Sequence, residues 1–403
     1  MKDEEPTMNG GVQATSVVFR RVALAGNVFA AWLCVAVAVA CPFCTAVRPS
    51  LAQRCEEAAV AALGELTTVG KEKLVFELHQ VQKGREQLGQ REAVEIAAAG
   101  DETSAKAKPG TLALLLANRS EKTGGTAKLT WSWEPLNEVG YAYVARAPGL
   151  DVPAAKRLAY FIPFIEHPDQ QLADDAYLEF GRATYDDVAL VADKLSSASL
   201  REWLLAADVP PERKGFYGLA LGLAGGQRER AANADFLRSQ ILKPANDFRS
   251  GFDGLLGGYL MAAGEPGLDL IDRAFLANRE AAEGDVRHAI TALRFYHQCG
   301  REISADRLRQ SLRQLLDRPQ FAAMVIADLA RWQDWDAIDK IAELFDQPEF
   351  AEPATDRAIV GYLRTVPGDD GASTLARLRR LAPKRVADAE KALAAFGGLR
   401  QEQ

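Results

Sequence analysis

The feature that most constrains this chain is a change of hydrophobic period near residue 150. Before it, apolar and polar residues alternate over short segments, the two-residue period of half-buried strands. Five segments carry that pattern: "AAVAALGEL" (58–66), "KLVFELHQV" (73–81), "EAVEIAAA" (92–99), "GTLALLLAN" (110–118) and "AKLTWSWEPL" (127–136). In the second, Leu74, Phe76 and Leu78 share one face, Glu77 and His79 take the other, and Lys83-Gly84 is a turn signal. From about Val152 the period becomes 3.6, and apolar helix-length segments follow one another between Pro, Gly and Asp. The expectation is an α+β multidomain chain, with a small five-stranded barrel over residues 41–147 and an all-α part over 150–403.

The helical part repeats itself. "KGFYGLALGLAGG" (214–226), "GFDGLLGGYLMAAG" (251–264), "VRHAITALRFYHQCG" (286–300), "FAAMVIADLARW" (321–332) and "DRAIVGYLRTV" (356–366) each open a helix pair, and a more polar helix follows each. The anchors Leu223, Tyr259, Phe295, Leu329 and Tyr362 lie 36, 36, 34 and 33 residues apart, and an earlier copy begins at "DDAYLEFG" (174–181). One pair cannot bury its apolar face, whereas stacked pairs share a continuous core. Gly218, Gly222, Gly254, Gly257, Gly258 and Gly361 recur inside the first helices. Glycine there costs about 1 kcal/mol against alanine, which predicts helices that must approach closely. Spacing and content resemble HEAT-like repeats, and that resemblance implies an α-solenoid.

Five short strands suit a closed OB-like barrel. A Cys pair at 41 and 44, a further Cys at 55, then "AAVAALGEL", "FELHQVQKG" and "GTLALLLAN", resemble the netrin-like module. That module is the barrel of tissue inhibitors of metalloproteinases and of several exported bacterial proteins. In those inhibitors the terminal Cys amine and carbonyl chelate the protease zinc, a role that would fall to Cys41 if cleavage frees its amine. This chain has Cys-x-x-Cys where the inhibitors have Cys-x-Cys, and the second half of their cysteine set is absent. Residues 157–188 and 308–345 resemble a family of exported planctomycete proteins that also begin with CPFC after the signal. This likeness implies export and the two-part build, and adds no chemistry.

The address comes from the first 40 residues. Arg20 and Arg21 precede an uncharged run over 22–40, and Ala38-Val39-Ala40 has the small residues of a signal-peptidase site. Residues 1–40 read as an export signal. If uncleaved, the 22–40 run would anchor the chain, and it is the only membrane contact expected. With a net charge of −7, the chain lacks the basic footprint of a nucleic-acid binder. In an oxidising compartment the disulfide candidates are Cys41, Cys44 and Cys55, paired as Cys41–Cys44 or as one of these with Cys55. Cys299 sits in a helical apolar pattern and reads as a small buried hydrophobe.

CPFC also occurs in thiol oxidoreductases, but their first Cys opens a helix that follows a strand, and here no strand precedes the motif. Zinc would need more ligands at close spacing than His79, His167, His288 and His297 offer, so no metal and no cofactor is expected. No nucleophile elbow, phosphate loop or HExxH is present. Asp174-Asp175 with Asp186-Asp187, and Asp334 with Asp336, are carboxylate pairs that also suit helix caps. Trp332 and Trp335 read as repeat packing. Trp131 and Trp133 share one face of the fifth strand and are the candidate ligand-facing aromatics, with core cover as the plainer role. "RLRRLAPKR" (377–385) is the one dense basic stretch and reads as a solvated closing helix. The functional expectation is an exported, non-enzymatic binding or scaffold protein. Its solenoid surface would hold a protein or glycan of the cell envelope. The alternatives are an extracytoplasmic thiol oxidoreductase using Cys41 and Cys44, or a netrin-like inhibitor.

Overall fold

Strand β1 (Val60–Val69) is continuously apolar over residues 60–64 because both of its faces are buried there, and its end, residues 67–69, is exposed. Ala61 and Leu63 point to one side with Leu114 and Leu116, and Val60, Ala62 and Leu66 point to the other with Leu74, Phe76 and Leu115. The computed structural model describes residues 48–98, 102–120, 128–244 and 249–398. β1 pairs antiparallel with β2 (Lys73–Lys83) and with β4 (Leu112–Ser120). β3 (Ala93–Ala97) adds to β2, and β5 (Lys128–Leu136) adds to β4, giving the order β3-β2-β1-β4-β5. All five expected strands are present. Three register shifts between β1 and β2 bend the sheet, as bulges do. It curls into a half-barrel that brings the outer strands β3 and β5 towards each other without a ladder among the described residues.

The rest is helical. α1 (Leu51–Glu57) precedes the sheet and starts at a capping box in which Ser50 and Gln53 satisfy each other's backbone. α2 (Glu138–Arg146), capped by Asn137, follows β5 directly, so helix begins a dozen residues earlier than the change of period suggests. Then come α3 (Ala154–Phe161), α4 (Gln170–Arg182) and α5 (Ser197–Leu205). The anchored segments form α6 (Pro211–Leu223), α8 (Phe252–Ala263), α10 (Glu283–Cys299), α12 (Pro319–Arg331) and α14 (Pro353–Thr365). Their more polar partners are α7 (Gly226–Ile241), α9 (Glu265–Ile271), α11 (Ala305–Arg313), α13 (Ile338–Leu344) and α15 (Asp369–Leu381), and α16 (Pro383–Gly398) closes the described chain. The fold is therefore α+β. One core runs from Leu51 and the outward face of β1 and β4 through the helices to Ala389.

α6 and α8 meet backbone to backbone. A Cβ on Gly222 would lie 2.1 Å from the Gly258 carbonyl, one on Gly258 1.9 Å from that of Gly218, and one on Gly254 2.0 Å from that of Gly215. The expected close approach is present at Gly218, Gly222, Gly254 and Gly258. Gly361 differs: the nearest atom to its Cβ position is 3.7 Å away, on Leu393 of α16.

Candidate functional site

The residue before each anchor, here called the rung, is Gly222, Gly258, Arg294, Asp328 and Gly361 in the five first helices, and Gly222 meets Gly258 as Arg294 meets Asp328. In α6 and α8 the rung is empty of side chains, whereas in α10 and α12 it is an ion pair. Asp328 is fully buried. Its Oδ2 accepts from Arg294 Nε at 2.8 Å and lies 2.7 Å from Arg294 Nη2, and its Oδ1 accepts from Arg331 Nη1 at 2.7 Å. The two guanidinium side chains are 35% and 65% exposed, so their far edges reach water while the carboxylate does not. His297, one turn after Arg294, lies flat on Trp332, with centroids 4.1 Å apart and planes 3° apart. Burial lowers the His297 pKa, nearby Arg309 lowers it further, and Asp328 opposes both, so the ring is neutral at pH 7. Arg309 of α11 donates Nε and Nη2 to the Trp332 carbonyl at 3.0 and 2.6 Å and pairs with Asp306. Three guanidinium groups thus meet two carboxylates, and one turn along α11 Arg313 holds Asp334 and Asp336, so the wider patch is balanced while the Arg294–Asp328–Arg331 triad itself carries one net positive charge.

A second cluster ties the segment before the sheet to α4. Asp175 accepts from the Leu51 amide at 2.6 Å and the Tyr143 hydroxyl at 2.5 Å. Glu179, one turn on, accepts from the Ser50 hydroxyl at 2.5 Å and from Arg157. Asp174 pairs with Arg48 and Arg213. Burial pushes Asp175 up to about 6, against the pull of the Tyr143 and Leu51 hydrogen bonds. Beside it, α1, β2 and α2 enclose a cleft of about 350 Å³ whose wall includes Cys55, Lys83 and Phe161. Burial pushes the Cys55 thiol up to about 11, which leaves it protonated and a poor nucleophile at neutral pH.

The residues singled out from sequence are spread through the fold. Cys55 is a free thiol among the described residues; Cys41, Cys44 and the export segment 1–40 lie outside them. Cys299 is half-buried at the end of α10, beside the small cluster of Leu219 and Phe295. Tyr185 reaches that cluster from an earlier helical turn, its ring 5.4 Å from Phe295, and covers this side of α6, α8 and α10. Trp131 and Trp133 are half-buried against the inner face of the half-barrel, Trp133 at 5.2 Å from Phe76. Trp133 also lines a small cleft with Thr103, Lys106 and Pro135.

The carboxylate pairs are dispersed. Asp187 receives the Thr184 hydroxyl at a helix start. Of Asp334 and Asp336, either of which suits a cap, Asp334 stands at the N-cap of the short helical turn Trp335–Ala337 but makes no side-chain cap bond; its carboxylate takes both arms of Arg313 instead, with Nε at 2.6 Å. A guanidinium fork outbids a backbone amide for a buried carboxylate. Trp332 is buried, and Trp335 packs 5.6 Å from Tyr362. The basic stretch 377–385 spans the end of α15 and the start of α16, so the closing helix is the one after it. No group of three or more metal-ligating side chains converges among the described residues, and none of their helices is long and apolar enough to cross a membrane.

An α+β chain with a curled antiparallel sheet and a run of paired helices is the class that this geometry defines. No family model, curated protein or solved structure matches it.

Proposed function

We propose that the chain is an exported, non-enzymatic binding protein that holds its partner on a stack of HEAT-like helix pairs, with the curled sheet as a small OB-like, netrin-like module beside it. The observation that carries this reading is a recurring clamp between units. Arg213, Arg249, Arg318 and Arg385 stand at or just before the first turn of α6, α8, α12 and α16. Each lies over an aromatic ring: Tyr177 at 5.2 Å, Phe252 at 3.3 Å, Phe321 at 4.7 Å and Phe345 at 4.0 Å. Each also donates to a carbonyl earlier in the chain, those of Ile165, Ile241, Phe275 and Phe345, at 3.4, 3.1, 3.3 and 3.0 Å. A like fastening at three of the five first helices and again at the closing helix supports a stack of related modules, and such stacks present extended surfaces to a protein or glycan.

The experiment is affinity capture from the cell envelope with the full chain immobilised. The reading expects a saturable species, displaced by excess free chain; retention that matches a bare-matrix control overturns it. Mass spectrometry of the mature terminus tests the thiol readings in parallel, because an oxidoreductase needs Cys41 or Cys44 as a low-pKa free thiol and an inhibitor needs Cys41 with a free amine.

A further inference from the structure

We propose that the Arg294–Asp328–Arg331 rung is an acceptor for a carboxylate side chain of a protein partner. The inference deepens the binding-protein reading and rests on it. Two guanidinium groups converge on one carboxylate whose two oxygens are both engaged. Asp328 neutralises one of them, and one positive charge is left over. Arg294 Nη1 and Arg331 Nε and Nη2 have no partner among the described residues. These are the donors on the water-facing side, since Asp328 is fully buried and Arg331 is 65% exposed.

Asp328 holds both planes in place before any ligand arrives. An incoming carboxylate therefore meets donors whose side-chain entropy is already spent, and fork geometry favours a carboxylate over a single point contact. The neighbouring acids are engaged: Asp334 and Asp336, just beyond α12, are both held by Arg313. His297 is fixed against Trp332, and Arg309 is fixed on the Trp332 carbonyl and on the exposed Asp306. The other acidic groups of these helices, Asp285 and Glu283 near the start of α10, are engaged by Arg249 and Arg287.

The equivalent rung of α6 and α8 is Gly222 and Gly258 and carries no charge, so the acceptor is confined to one level of the stack. The basic stretch at 377–385 supplies the control. Arg377 and Arg380 are exposed with no ion pair among the described residues, and no buried acid orders them.

The test is fluorescence anisotropy of a labelled hexaglutamate peptide with the full chain, and with Arg331→Gln, Arg331→Lys and Arg377→Gln. Hexalysine is the charge control. Arg294 keeps Asp328 paired in both Arg331 variants, and an unchanged thermal midpoint verifies their folding. The expected result is binding of hexaglutamate and not hexalysine, weakened about tenfold by Arg331→Gln, partly restored by Arg331→Lys and unaffected by Arg377→Gln. Absence of binding to the unmodified chain overturns the inference, and so does an equal loss in Arg331→Gln and Arg377→Gln. A partner captured from the envelope equally well by Arg331→Gln would sink this acceptor and leave the binding-protein reading standing. Failure of capture by every form would sink that reading instead.

Discussion

The contact of α6 with α8 and that of α10 with α12 answer one packing problem in opposite ways. In the first, glycines at 218, 222, 254 and 258 remove every side chain from the rung, and backbones touch. In the second, a long cation crosses the rung to a fully buried acid. The glycine rung gains dispersion and close fit at the cost of helix propensity, and it presents no polar side chain. The charged rung gives up some of that fit to desolvation and keeps guanidinium edges in water. The same position thus serves backbone packing in one pair of helices and a charged contact in another.

The largest effect should come from filling the glycine rung. In Gly258→Ala the new methyl would sit on the Gly218 carbonyl, and backbone cannot move aside as a side-chain end can; a loss of about 4 kcal/mol is expected in urea unfolding. A loss under about 1 kcal/mol would show that α6 and α8 are not in backbone contact. Next is the charged rung. Asp328→Ala leaves Arg294 and Arg331 without their acid and should cost about 3 kcal/mol. Arg294→Leu combined with Asp328→Leu removes the buried pair whole and should recover most of that. If the double variant is no better than the single one, the rung is held by something other than this pair.

A smaller effect separates the charged rung from the acidic cluster on α4. Asp175 titrates near 6 in the folded chain and near 4 when unfolded, so between those values the folded state holds the extra proton. Stability should therefore fall as pH rises through that window, by about 1.4 kcal/mol between pH 5 and pH 7, and Asp175→Asn should flatten the slope in urea titrations. The smallest expected change is Gly361→Ala. Its Cβ meets only Leu393 at 3.7 Å, so the helix propensity gain should appear as a stabilisation of up to about 1 kcal/mol. A large loss there would mean that α14 is as tightly opposed as α6.

Strand β2 was legible because alternation reports burial directly, and Leu74, Phe76 and Leu78 fall inward as their spacing requires, whereas β1 and β4 read as short apolar runs because both of their faces are buried. The five anchored helices were legible for the same reason at a period of 3.6. α2 was not: it is nine residues long and follows β5 with only Asn137 between them, too short for a period to emerge. The curl of the sheet comes from register shifts between β1 and β2, which have no side-chain signature. The charged rung left a faint trace, since Arg294 and Asp328 are opposite charges one residue before successive anchors, 34 apart. Adjacent acids such as Asp174-Asp175 draw the eye first, yet α4 sends the two to different arginine and tyrosine partners. Pairing across a stack depends on offset between helices, and a single chain read end to end does not display that offset.

The glycine seam also decides where the protein can yield when something pulls on it. Side chains between two helices act as a cushion that can shift rotamer by rotamer as the axes tilt; bare backbones in contact have no such slack. Bending under load is therefore expected to fall in the helices beyond residue 283, with α6 and α8 as a stiff collar next to them.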